Sequence, residues 1–169
     1  MPTKTATAKT FTTHIDIPAE KREALCKTLN ASLADTFDLF SQIKQAHWNV
    51  KGKDFIQLHL LFDEIAEEIE EYVDELAERV TTLGGYANGT VRMSAANSSL
   101  PEYPTDAVEG MKHVAALVER FGIYAGKVRA AIESTDELGD PTTADLYTEI
   151  SRKVDMRLWF LEAHIQQAE

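Results

Sequence analysis

The sequence predicts an all-α fold, a bundle of four long helices with one long crossover, and three observations carry that prediction. Four segments repeat apolar residues at steps of three and four, the period of a helix with one buried side. The links between the first and second segments and between the third and fourth are short and punctuated by glycine, asparagine or proline. The link between the second and third runs to about twenty residues, too long for a bundle turn. No segment alternates apolar and polar residues with the period of two that a strand requires.

Residues 1–16 are rich in threonine and alanine, carry Lys4 and Lys9, and have no acid before Asp16. They read as a flexible tail ahead of a bundle domain over 17–169. Pro18 suits a first helical turn. From there Leu25, Leu29, Leu33, Phe37, Phe40 and Ile43 form a helical stripe, so the first helix spans about 18–47. His47 falls four residues past Ile43 on the same stripe, and Asn49-Val50-Lys51-Gly52 makes the turn. The second helix runs from about Asp54 to Leu83 and stops at Gly84-Gly85, a strong C-terminal cap signal. The crossover "YANGTVRMSAANSSLPEYP" has room for a short helical turn near Ser94–Ser98. A third long helix covers about Thr105–Ser134, with Val108, Met111, Val114, Leu117, Phe121, Tyr124, Val128 and Ile132 inward. "DELGDP" breaks it, and Asp140 with Pro141 reads as an N-cap and first position. The fourth runs to about Gln167, with Leu146, Ile150, Val154, Leu158, Leu161 and Ile165 inward. At 1.5 Å per residue each helix is about 40 Å long. Short links at both ends and one crossover give up-down-down-up order, the ferritin-like topology.

The 169 residues suit one domain, and 44% hydrophobic with 27% charged residues suits a soluble globular protein. No apolar run reaches the roughly 18 residues of a membrane span, and "MPTKTATAKTFTTH" lacks the apolar core of a secretory signal. A single cysteine, Cys26, excludes an intrachain disulfide and disfavours a cysteine zinc site, so a reducing cytoplasm is expected. The net charge of −11 is concentrated: Asp54 to Gly84 holds ten acids against one base, Arg79. Such a body disfavours nucleic acid and favours cations, unless the acids are simply a solvated face.

Their spacing decides between those readings. On a helical wheel with His59 at zero, Phe62, Ile65, Ile69, Tyr72, Val73, Leu76, Val80 and Leu83 cluster between about 220° and 320°. Asp63, Glu67, Asp74 and Glu78 fall at about 40–100°, beside that apolar face, and Glu64, Glu68, Glu71 and Glu75 lie further round at about 120–180°. Carboxylates crowded there repel and resist ionisation, and a bound cation relieves both costs. His59 with Asp63, and Asp74 with Glu78, are each four apart, so each pair can reach one ion. The pair centres are about 22 Å apart along the helix, so one ion cannot use both pairs of one chain. A second copy of the helix, antiparallel across a two-fold axis near residues 68–69, sets the first pair of one chain against the second pair of the other, twice over. One imidazole with three carboxylates suits Fe(II), with Zn(II) or Mn(II) as alternatives; His47 adds a nitrogen that favours iron or zinc over calcium and magnesium. No Glu-x-x-His occurs, so a di-iron site inside one bundle is not expected.

"KQAHWNVKG", "FIQLHLLFD" and "DELAERVTTLGG", with the later "DMRLWFLEAHI", closely resemble the Dps family (DNA-binding proteins from starved cells), the mini-ferritins, from about Phe11 onward. The ligand spacing His-x11-His-x3-Asp-x10-Asp-x3-Glu is met by His47, His59, Asp63, Asp74 and Glu78. The resemblance implies a hollow homododecamer with ferroxidase sites at its two-fold interfaces. Those sites would oxidise Fe(II), preferably with hydrogen peroxide, and Fe(III) would be stored inside as mineral. It sets Trp48 beside the site, as a packing anchor or a redox group, and Arg79, next to Glu78, as a salt-bridge partner that orients the site. It also places Asp140, Asp145 and Glu149 along a three-fold pore, with acids favoured at a helix start as the alternative. Glu64, Glu67 and Glu68 would nucleate mineral or form a solvated face. His14, His113 and His164 have no partner pattern and read as ordinary histidines. Two lysines per tail are few for phosphate contacts, so DNA binding is expected to be weak. The competing readings are a non-catalytic iron or zinc buffer and a DNA-compacting cage.

Overall fold

The computed structural model describes residues 9–167. Five helices follow one another: α1 Ala19–Asn49, α2 Phe55–Thr82, α3 Val91–Asn97, α4 Gly110–Glu137 and α5 Pro141–Glu162. The four long ones form the bundle and α3 sits in the crossover. Leu25, Leu29, Leu33 and Ile43 of α1 meet Phe62, Ile65, Ile69 and Leu76 of α2, with Leu117, Phe121 and Tyr124 of α4 and Tyr147, Ile150 and Val154 of α5. The stripes read from the sequence supply most of this core; Phe37, Val108 and Ile165 stand outside it, and Leu39, which the first stripe omits, is inside.

The α2 terminus shows how local chemistry sets an element. Gly85 N–H donates to Val80 O and Gly84 N–H to Thr81 O, both at 2.9 Å, the paired bonds of a Schellman cap. The cap requires a left-handed residue, and Gly84 supplies it at φ +81°. A Cβ there would lie 2.6 Å from Phe11 O. Gly84→Ala is therefore expected to cost about 1–3 kcal/mol, read as a lower denaturation midpoint.

Phe11 N–H donates to Gly84 O at 2.8 Å, and Ile15 and Ile17 pack on the core. Residues 9–16 thus depart from the flexible tail expected of them. A backbone bond and two apolar side chains hold them; Lys4 lies outside the described residues.

Three boundaries also differ. The third long helix begins at Gly110, not near Thr105. Lys51 N–H donates to Val108 O at 3.0 Å, so this stretch is extended and pairs with the α1–α2 turn. Val108 is consequently exposed rather than inward. The crossover helix starts at Val91, because the Thr90 side chain accepts from Met93 N–H and caps it. α5 ends at Glu162; Leu161 is its last buried residue and Ile165 is exposed.

The crossover is tied down by α1 and α4. Asp35 accepts from Ser99 N–H at 2.7 Å and from Lys127 at 3.1 Å. Buried Arg120 donates to Gln42 Oε1 and to Glu102 O. The Lys51–Val108 bond in turn ties the α1–α2 reversal that follows His47 to the segment before α4.

Candidate metal centre

His47 is buried in the last turn of α1, and His59 is half-buried in the first turns of α2. The tight reversal between them stacks their rings with centroids 3.8 Å apart and planes 19° apart. Each ring is pinned to the other residue's backbone: His47 Nδ1 to His59 O at 2.7 Å, and His59 Nδ1 to His47 O at 2.9 Å. A carbonyl oxygen only accepts, so each Nδ1 carries its proton. In the neutral rings each Nε2 is then a free lone pair, the arrangement that orients metal-binding histidines.

Asp63, one turn after His59, has Oδ1 3.7 Å from His47 Nε2. The same oxygen accepts from Lys44 Nζ at 2.6 Å. That ammonium holds the Asp63 carboxyl below its ordinary value against a smaller upward push from burial, with further help from His47 and His59. Asp63 is therefore ionised at any physiological pH. Phe55 stacks on the outer side of His59 at 5.1 Å.

Asp74 and Glu78 are exposed on α2, on the same stripe but about 22 Å further along. Within one chain, among the described residues, no three His, Cys, Asp or Glu side chains stand close enough to hold an ion. One chain stacks His47 on His59 and sets Asp63 beside His47, short of a three-ligand cluster, and it leaves Asp74 and Glu78 apart. Beside the histidines lies an exposed apolar group: Trp48 (65% exposed), Phe55 (43%), Ile56 (55%) and Leu60 (59%). Patches of this kind mark interaction surfaces.

Arg79 does not serve Glu78. Its Nη2 reaches both carboxylate oxygens of Asp140, at 2.9 and 2.8 Å, and its Nε donates to Thr143 Oγ1. Asp140 departs from the pore position expected of it. It is 1% exposed and caps α5 by accepting from Thr143 N–H. Asp145 and Glu149 are exposed. Of the three acids marked for mineral nucleation, Glu64 and Glu68 both accept from the buried Arg157, at 2.7–2.8 Å, and Glu67 is exposed. Glu75, between these groups, is raised by burial and then by the carboxylates of Glu149, Glu71, Asp74 and Glu78. That is the crowding that a cation relieves. His113 is a core histidine sharing a 2.6 Å hydrogen bond with Tyr103 Oη; His14 and His164 are exposed.

Comparison with known proteins places this geometry. The model of the ferritin-like domain family matches residues 26–169. A DNA protection during starvation protein of Agrobacterium fabrum is 45% identical over 159 residues, 94% of this chain and 98% of its own. The chain belongs to the Dps family. DpsC from Streptomyces coelicolor superposes with a TM-score of 0.89 at 33% identity, over 95% of this chain and 94% of that one. A Dps protein from Vibrio cholerae O1, described as a member of a broad superfamily of ferritin-like diiron-carboxylate proteins, superposes with a TM-score of 0.86 at 28% identity, over 92% and 97%. The Dps architecture accounts for both the four-helix bundle and the crossover helix α3. Among the described residues no helix is long and apolar enough to cross a membrane.

Two charged residues that pair with acids of α2 were not read from the sequence. Lys44 is three residues before His47, a spacing that shares a helix side and so offers a signal. Arg157 stands among the inward residues of α5, where a lone base signals a buried acid partner.

Proposed function

We propose that this chain is the subunit of a ferroxidase cage. It oxidises Fe(II), with hydrogen peroxide as the preferred acceptor, at centres shared across a two-fold axis, and stores ferric iron inside a cytoplasmic dodecamer. The observation that carries the proposal is the reciprocal pinning of His47 and His59, which leaves each Nε2 free and sets that of His47 3.7 Å from ionised Asp63. Asp74 and Glu78 of the partner subunit complete the ligand set, and the apolar group around Trp48 supports that face as the contact. The diiron-carboxylate description of the V. cholerae relative supports the metal.

Each residue type has its task. Neutral imidazoles hold Fe(II), and the carboxylates stabilise the higher charge of Fe(III) as it forms. Two Fe(II) ions supply the two electrons that reduce one hydrogen peroxide, with two protons, to two waters. No one-electron product escapes, and the cell is protected from iron and peroxide together. Asp145 and Glu149 supply the acids of the entry pore, and Glu67 is the exposed acid of the mineral-facing set. Zn(II) would fit the same ligands without turnover. Direct DNA contact is weak: the net charge is −11, and of the two tail lysines Lys9 lies 5.1 Å over the Tyr86 ring.

Anaerobic Fe(II) mixed with peroxide tests the proposal. A ferric absorbance rise with two Fe(II) consumed per peroxide is expected. Binding of Fe(II) with no such rise would make the protein a cation buffer.

A further inference from the structure

The seam between α2 and α5 is a ladder of opposite charges with one rung out of order. The helices run antiparallel, and their ion pairs give the register. Arg157 donates to Glu64 and Glu68 at 2.7–2.8 Å, Lys153 stands 3.8 Å from Glu68, and Arg79 reaches Asp140 at 2.8 Å. Rising along α2 therefore means falling along α5, and the rung between these pairs sets Tyr72 and Glu75 against Glu149. Here acid meets acid. Every charge that acts on Glu75 is another carboxylate, that of Glu149 foremost. Arg157 and Lys153 neutralise Glu64 and Glu68, so Glu75 and Glu149 are the facing carboxylates left without a base among the described residues.

Tyr72 supplies an independent sign of a ligand. It is only 5% exposed, yet its hydroxyl has no hydrogen-bond partner among the described residues. The charges that act on it are those of Glu149, Glu68, Glu75 and Glu71, so the phenol points out of the core into the acid rung. Burial and then these carboxylates hold the phenol well above its ordinary value, so no ordinary base takes its proton. A metal ion inverts that logic and deprotonates the group that coordinates it. Phenolate with two carboxylates brings three negative charges, the match for a trivalent ion, and all three donors are hard oxygens. Two carboxylates and a phenol are not the three-acid cluster that a single chain lacks among the described residues.

We infer that Tyr72, Glu75 and Glu149 form a ferric site on the α2–α5 seam of each chain, apart from the two-fold centre. Fe(III) binds through the phenolate oxygen and the two carboxylates. The phenol O–H bond breaks as the Fe–O bond forms, the proton passes to water, and no electron is transferred. The site takes the product of iron oxidation and needs no ligand from the partner subunit.

Fe(II) added aerobically at one ion per chain tests this, with assembly checked by native mass. Wild type is expected to develop a visible phenolate-to-Fe(III) charge-transfer band, with phenolate vibrations enhanced in resonance Raman spectra. Tyr72→Phe keeps the ring in the core and should reduce the band at least about tenfold. Glu75→Gln keeps the phenol and should weaken ferric binding about tenfold, seen as a smaller band at this loading. Oxidised, bound iron with no such band in wild type would overturn the inference. So would an unchanged band in Tyr72→Phe, which assigns it to another tyrosine, or in Glu75→Gln. His59→Ala separates this site from the ferroxidase reading. Oxygen still oxidises Fe(II) slowly in that variant, and the band should form in full. If rapid oxidation is absent from wild type but the band forms, the ferroxidase reading alone fails. If the band is lost with His59 while bound iron is oxidised, the phenolate belongs to the two-fold centre and the seam inference fails.

Discussion

Two inactive variants, His59→Ala and Asp74→Ala, are expected to regain about a quarter of wild-type ferroxidase centres when co-expressed. Each variant alone loses a ligand from every centre, and its peroxide-driven Fe(II) oxidation should fall by at least about a hundredfold, as removal of a ligand exceeds the effect of a supporting residue. In a mixed dimer one centre lacks both groups and the other lacks neither. Random pairing makes half of all dimers mixed, so about one centre in four is whole. A ligand set inside one chain gives no recovery, because every chain then lacks a ligand. The measurement is the initial rate of ferric absorbance at matched protein concentration, with native mass confirming equal assembly. His59 is half-buried and Asp74 exposed, so neither truncation opens a core cavity. Failure to recover in mixed assemblies of wild-type mass would remove the shared-centre proposal.

That test is available because the proposed ligand set follows from spacing along the sequence. His59, Asp63, Asp74 and Glu78 lie on one helix, where a fixed 100° per residue turns spacing into direction. The four long helices were legible for the same reason. What was not legible depends on contacts between distant segments. The start of α4 fits the helical period back to Val108, but pairing with Lys51 across the fold holds that stretch extended. Arg79 adjoins Glu78 in sequence, yet its partner is Asp140, 61 residues away. Lys44 is local to His47, but a lysine near a helix end reads as a surface charge until the turn folds Asp63 against it. Periodicity gives faces; it does not say which charge on a face meets which.

Asp140 is the strongest case of that limit, and its loss should be the most costly polar substitution in the bundle. Its backbone N–H donates to Thr135 O at 3.1 Å, closing α4 past Gly139, and its carboxylate accepts from Thr143 N–H, opening α5. The same carboxylate takes the Arg79 fork from α2, so one residue joins three helices. Asp140→Ala removes the cap, worth about 1 kcal/mol, and leaves Arg79 largely buried without its counter-ion. A total of about 2–4 kcal/mol is expected in chemical denaturation at fixed protein concentration. Asp140→Asn keeps a capping side chain and loses the charge, so it should fall between wild type and Asp140→Ala. The effect should also depend on pH with a defined sign. Burial pushes the Asp140 carboxyl up, but the bonds from Thr143 and Arg79 outweigh it and hold the folded value below the ordinary one. The unfolded chain therefore takes up its proton first, near pH 3.9. Above about pH 4 the full difference between wild type and Asp140→Ala should appear, and it should shrink as the pH falls through the lower folded value. An acid that lines a pore and carries no structural load would give the opposite result: slower iron uptake with an unchanged denaturation midpoint. With Asp140 committed to the α4–α5 joint, that uptake phenotype is expected instead from neutralising Asp145 and Glu149, which are exposed.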